Sequence, residues 1–268
     1  MNDRVRITRL ENGVADVRLN RPDKLNALDP PMFEALAEAG RQLADDRTLR
    51  AVVLSGEGRA FCAGLDMASF MNMQERRTGE AALFGRRADG PANRAQATAW
   101  VWKELPVPVV AAVHGVAFGG GLQVALGADI RLVAPDAQLS IMEIKWGLVP
   151  DMAGTQILRH LVRLDVAKEL TFTGRVVSGS EAVALGLATR VADDPRAAAL
   201  ALAHDIATKS PDAVRAAKRL LNASVVVSPA EGLALEESLQ RGLIGSPNQL
   251  EAVAANLAKR TPRFVDPA

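Results

Sequence analysis

Tyrosine is absent from this 268-residue chain, and cysteine occurs once, as Cys62. The first absence excludes a tyrosyl general acid. The second excludes an internal disulfide and suits a reducing compartment, the cytoplasm. Histidine is scarce too: His114, His160 and His204 lie far apart without the spacing of a zinc site, so no metal is expected. No apolar run approaches the roughly 18 residues of a membrane span. The opening MNDRVRITRLENG lacks the apolar core of a secretion signal. Neither sign of charge dominates, with 32 Lys and Arg against 31 Asp and Glu, and this argues against a nucleic-acid partner. At 49% apolar, the chain has the composition of a globular protein with a large core.

The apolar residues fall into short runs separated by helical patterns. Residues 5–10 and the run with Ala15, Val17 and Leu19 predict a hairpin turned at Glu11-Asn12-Gly13. Asp29 followed by Pro30 is a helix start, and Phe33, Leu36, Ala37 and Leu43 supply that helix with a buried stripe. Residues 50–54 (RAVVL), 109–113, 130–134 and 138–141 read as further strands. Strand and helix alternate over 14–46, 50–75 and 108–127, the pattern of an α/β fold. Residues 70–95 are polar with poor periodicity and read as an exposed helix and loop over a site. Beyond residue 155 helices dominate. Ser178 with Glu181 reads as a capping box, and Ser210-Pro211 as another start.

At the centre stands Gly119-Gly120-Gly121, where a buried apolar run hands over to the helical pattern of Leu122, Val124, Ala125 and Leu126. Unpaired N–H groups at such a junction favour negative charge, and glycine lets a ligand approach the backbone closely. Many strand-to-helix turns carry glycine for packing alone. The segment RAFCAGLD at 59–66 reads equally well as a tight turn.

Taken together, NRPDKLNAL, RAFCAGLD, PVVAAVHGVAFGGGL, ALGADIRL, GLVP, AGTQ and LTFTG, in this order along nearly the whole chain, resemble the crotonase (enoyl-CoA hydratase/isomerase) superfamily. The resemblance implies an α/β spiral of repeated strand-strand-helix units with a C-terminal helical trimerisation region. Residues 1–200 would form the core with the acyl-CoA site, and 201–268 the oligomerisation region of a homotrimer or hexamer. It implies a coenzyme A thioester as substrate, with no separately bound cofactor. The oxyanion hole falls on the N–H groups of Leu65 and Gly120. Lys24, Leu25, Ala63 and Asp66, with Lys259 and Phe264 near the C-terminus, fall where relatives touch coenzyme A, the last two sometimes from a neighbouring subunit.

Hydratases of the family use two glutamates. The place of the first holds Gln123, which can orient a group but carries no titratable proton. The second is present as Glu143. Asp151 stands where dienoyl-CoA isomerases carry an acid, and it reads equally as an N-cap for a helix over 153–162. Three readings follow. One is a shift of the double bond of an enoyl- or dienoyl-CoA, with Glu143 or Asp151 returning the proton. The second is hydration by Glu143 with Gln123 orienting water. The third is a thioester-binding protein with impaired chemistry. The first is preferred, because one carboxylate suffices for it.

Overall fold

The computed structural model describes residues 3–69, 71, 84–85 and 90–267. Most of the polar segment 70–95, read as a cover over the site, lies outside the described residues.

The expected hairpin is there: β1 (Val5–Arg9) and β2 (Val14–Leu19) pair antiparallel across a turn at Glu11–Gly13, where Asn12 takes a left-handed conformation. From β2 onward the sheet is parallel. β3 (Ala51–Gly56), β4 (Val109–Val113), β6 (Ile130–Val133) and β9 (Arg190–Val191) follow in the order β1-β2-β3-β4-β6-β9. A second sheet joins β5 (Val116–Phe118), β7 (Gln138–Ser140) and β8 (Val177–Ser178).

The central strands are uninterrupted apolar runs because both faces of the large sheet are covered. On one face Val17, Leu19, Val52, Leu54, Ala111 and Val113 pack against the helices α1 (Pro30–Ala44), α2 (Arg94–Glu104) and α3 (Gly120–Leu126). On the other, Val14, Val53, Val110 and Leu132 meet Ala199 and Ala203 of a helix at Pro195–Ala207. Asp29 caps α1 by accepting the Met32 N–H, as its position before Pro30 implies.

Two buried cations fasten this frame. The Arg131 guanidinium, 3% exposed, donates to the carbonyls of Ala128 and Leu187, with a longer contact to Leu126 at the end of α3. Burial lowers its pKa to about 10, still high enough to stay charged beside the negative end of that helix. Lys218, on the helix Pro211–Ser224, reaches Asp129 at 2.7 Å and the carbonyls of Trp102 and Val107. Asp129 also accepts the Val109 N–H, so one carboxylate ties the C-terminal helices to the start of β4.

Two local expectations are corrected. The helix expected over 153–162 is the short α4 (Gly154–Leu158), capped by Ala153 in a left-handed conformation, and Asp151 does not cap it. Ser178 does accept the Glu181 N–H at the head of Gly179–Leu185, but the reciprocal arm of the box is absent. The Glu181 carboxylate turns to Arg175 instead, because an ion pair is a stronger partner than the Ser178 N–H.

Candidate active site

Two stretches far apart in sequence are woven together by backbone hydrogen bonds. Cys62 donates to Val116 and Phe118 donates back to Cys62; Phe61 donates to His114. On the other side, Leu28 donates to Gly64, Asp66 to Leu28, and Ala63 to Leu25. The turn 63–66 is thereby held between the loop at 21–28 and the end of β5. Its neighbour across the site is the start of α3, where Gly119 has φ 51° and ψ −121° and donates to Ser140 at 2.9 Å. That conformation is open only to glycine.

The weave brings two free donors together. Among the described residues, neither the Leu65 N–H nor the Gly120 N–H has a hydrogen-bond acceptor. A β-carbon placed on Gly64 would lie 3.7 Å from the Gly120 nitrogen and 2.5 Å from the Phe118 carbonyl oxygen, which measures how closely the turn approaches α3. Gly64 itself has φ +87°. A pair of N–H groups held on so stiff a frame can receive the oxygen of a polarised carbonyl.

Arg21 was not anticipated. Its Nη1 donates to Asp66 Oδ2 at 2.7 Å and to the Ala27 carbonyl, while Asp66 Oδ1 accepts the Ser69 N–H. Burial raises the Asp66 pKa, but the Ser69 bond and Arg21 outweigh it and hold the carboxyl below its usual range. Asp66 therefore stays ionised and fixes the turn that carries Leu65. Asn26, fully buried and in a left-handed conformation, bonds the Arg21 N–H and the Glu57 and Ala60 carbonyls. The wealth of turn formers in 20–28 was the signal the sequence carried for either role.

Glu143 sits on a short 3-10 turn (Glu143–Trp146) and is 8% exposed. Its carboxylate lies against Gly119: a β-carbon there would be 3.4 Å from Oε1 and 3.8 Å from Oε2. The Glu143 carboxylate and the free N–H of Gly120 are thus neighbours. Gln123 donates from Nε2 to Glu143 Oε1 at 2.6 Å, while Glu143 Oε2 is buried with no partner among the described residues. Burial is the main reason the Glu143 pKa lies above the usual glutamate range; Gln123 opposes the rise and Asp151 adds to it. Asp151 is open to solvent on one side, yet crowding around its carboxyl raises its pKa as well.

Of the expected coenzyme A contacts, Lys24, Leu25, Ala63 and Asp66 are brought together by the Ala63-to-Leu25 bond and the turn that follows. Lys259 and Phe264 are not. Their tail is fastened at the opposite end of the strands, where Val265 bonds Asn248 and Asp266 bonds Arg50, the residue before β3. Among the described residues no group of three His, Cys, Asp or Glu side chains could hold a metal.

The family model for enoyl-CoA hydratase/isomerase matches residues 9–267. The chain belongs to the enoyl-CoA hydratase/isomerase family. Within that family it is 38% identical over 260 residues to bovine (Bos taurus) mitochondrial enoyl-CoA hydratase domain-containing protein 2, covering 94% of this chain and 84% of the relative. It is 35% identical over 263 residues to the 1,2-epoxyphenylacetyl-CoA isomerase of Escherichia coli, covering 96% and 97%. The crystal structure of enoyl-CoA hydratase from Bacillus anthracis superposes with a TM-score of 0.90 at 31% identity, over 98% of this chain and 99% of that one.

Gly64→Ala tests the frame. The added carbon meets a backbone carbonyl in a conformation that costs an L-residue about 1–2 kcal/mol, and it displaces the Leu65 N–H. Turnover of acyl-CoA substrates should fall about 100-fold in kcat with little change in KM, and the melting temperature should drop. Unchanged kcat contradicts the assignment of the Leu65 N–H to the site.

Proposed function

We propose that this protein shifts the double bond of an enoyl- or dienoyl-CoA. The thioester oxygen sits between the N–H groups of Leu65 and Gly120, which take up negative charge as it develops. Glu143 removes a proton from the carbon between the thioester carbonyl and the double bond, the C–H electron pair enters the dienolate, and Glu143 or Asp151 returns a proton at the far end. Product and substrate have the same atoms, so neither water nor a resident cofactor is consumed; coenzyme A arrives as part of the substrate. The observation that carries this reading is the buried Glu143 carboxylate lying against Gly119, one residue from the Gly120 N–H. A carboxylate with one unpartnered oxygen beside the oxyanion donors is a base aimed at the carbon next to the carbonyl. Asp151, with its raised pKa at the edge of the site, can relay the returning proton.

Hydration is the second reading, favoured by the hydratase names of the bovine relative and the Bacillus anthracis structure. In it Glu143 activates water while Gln123 orients it. Lys24, Leu25 and Ala63 line the adenosine end of the substrate in either case, with Asp66 shaping the turn.

The assembly belongs to the same proposal. Residues 1–200 supply the site, and 201–268 supply contacts between three copies, or six. The helix Pro229–Leu243 buries no residue of its own, and Leu233, Ile244, Leu250 and Leu257 are exposed. Association would also bring Lys259 and Phe264 to a neighbour's site. Sedimentation should give three or six times the chain mass; a monomer contradicts this. A cytoplasmic location, proposed from the lone cysteine, is checked by cell fractionation.

Incubation with 3-enoyl-CoA in deuterated water should yield the conjugated 2-enoyl-CoA, and Glu143→Gln should slow this by at least 100-fold, within the 10²–10⁴ range of general-base catalysis. The active form of Glu143 is the carboxylate and its pKa is raised, so kcat/KM should fall with decreasing pH at a midpoint above 4.5. Rapid hydration of 2-enoyl-CoA without any double-bond shift overturns the preferred reading. Binding without turnover of any thioester overturns both.

A further inference from the structure

Gln123 is buried, 2% exposed, and its amide has no freedom left. Its Oε1 accepts two backbone N–H groups, from Met152 at 2.8 Å and from Gly154 at 2.9 Å. Two donors on one side oblige that side to be oxygen, so the amide orientation follows from the partners and not from a choice between look-alike atoms. The NH2 must then face Glu143, and it donates to Oε1 at 2.6 Å. The fit is close on every side: a β-carbon on Gly154 would come within 2.8 Å of both Cγ and Oε1 of Gln123.

One oxygen of Glu143 is consequently held as an acceptor by the Gln123 donor, a bond that weakens if that oxygen takes up a proton. The other, Oε2, is buried and unpartnered among the described residues. We propose that Gln123 is a positioning and specificity-determining residue that reserves Oε1 of Glu143 for anchorage, leaves Oε2 as the proton-carrying atom, and withholds the second acid that water addition uses. This rests on the reading of Glu143 as the base. The Gln123 side chain works through Glu143 and the backbone amides, whichever acyl group is bound.

Among the described residues the charged groups around Glu143 are few. Asp151 faces it from the segment before α4 and adds to its raised pKa. Lys145, on the same turn, lies over the Trp146 ring at 5.7 Å. The helix Leu164–Thr173, packed against that turn, carries Asp165 paired with Arg163, Glu169 paired with Arg175, and the exposed Lys168. The helix α3 contributes no charge.

Gln123→Glu is the informative change because it preserves both bonds to Met152 and Gly154. It replaces only the NH2, setting a second carboxylate oxygen against Glu143 Oε1. Two carboxylates this close share a proton, and one of them titrates upward. Carbon-13 NMR of labelled carboxyl groups, with Glu143→Gln as the assignment control, should show the Glu143 midpoint rising by at least one pH unit in Gln123→Glu. The ratio of water addition to double-bond shift should rise at least tenfold.

A titration midpoint and product ratio both unmoved overturn the proposal. The NMR arm needs no turnover, so it separates the two failures. A shifted midpoint in a protein that never moves a double bond sinks the function proposed above and leaves the positioning role standing. Should Gln123→Glu fail to fold, Gln123→Met removes the donor at similar volume. Loss of kcat by about tenfold with KM held within threefold supports the role, and unchanged kcat refutes it.

Discussion

Everything at the site depends on the backbone bonds that stitch the turn 63–66 to the end of β5 and the loop at 21–28. The exchange between Cys62 and the strand Val116–Phe118, with the Leu28–Gly64 and Asp66–Leu28 bonds, fixes the height of Leu65 relative to Gly120. Neither donor could be placed by its side chain, since each is a backbone N–H. The surrounding chemistry serves the same end. Arg21 keeps Asp66 ionised and in place, Asn26 ties the loop to the Glu57 and Ala60 carbonyls, and Arg131 caps the far end of the glycine helix.

Across from this pair of N–H groups, the state of the carboxyl groups is set by burial. A carboxylate removed from water resists ionisation, and Glu143 is held between that penalty and the compensating bond from Gln123. A neutral amide in place of a second carboxylate relieves the repulsion that two buried acids would impose. It also removes one proton from the site. Asp151, less buried, is the acid among the described residues whose charge adds to the raised pKa of Glu143. The Glu143 carboxylate is asymmetric: Oε1 is held by Gln123, and Oε2 has no partner among the described residues, which is the geometry the proposed base requires.

The sequence made the frame legible wherever side-chain pattern and structure share a cause. Strands covered on both faces must be apolar throughout, so 50–54 and 109–113 were readable. Asp29, Ser178 and Ser210 announced helix starts because their side chains cap, and the glycine triplet announced a close approach. Leu65, Gly120, Gln123 and Glu143 came from the family motifs. What stayed hidden was carried by the backbone or by tertiary partners. The Met152 and Gly154 N–H groups that orient Gln123 leave no mark in residue type. Arg21 looked like one more residue of a polar loop. Asp151 looked like a cap, but Ala153 enters the left-handed region and starts α4 two residues later. The placement of Lys259 and Phe264 at the opposite end of the strands follows from contacts with Arg50 and Asn248 that no local pattern encodes.

The central claim is that the amides of Leu65 and Gly120 together polarise a thioester carbonyl. The infrared stretch of a carbon-13-labelled thioester carbonyl reads this directly, in a saturated acyl-CoA bound to the protein at full occupancy. Two N–H donors withdrawing electron density should move the band to lower frequency than the same thioester shows in water. A bound thioester whose carbonyl absorbs at its aqueous position would contradict the account.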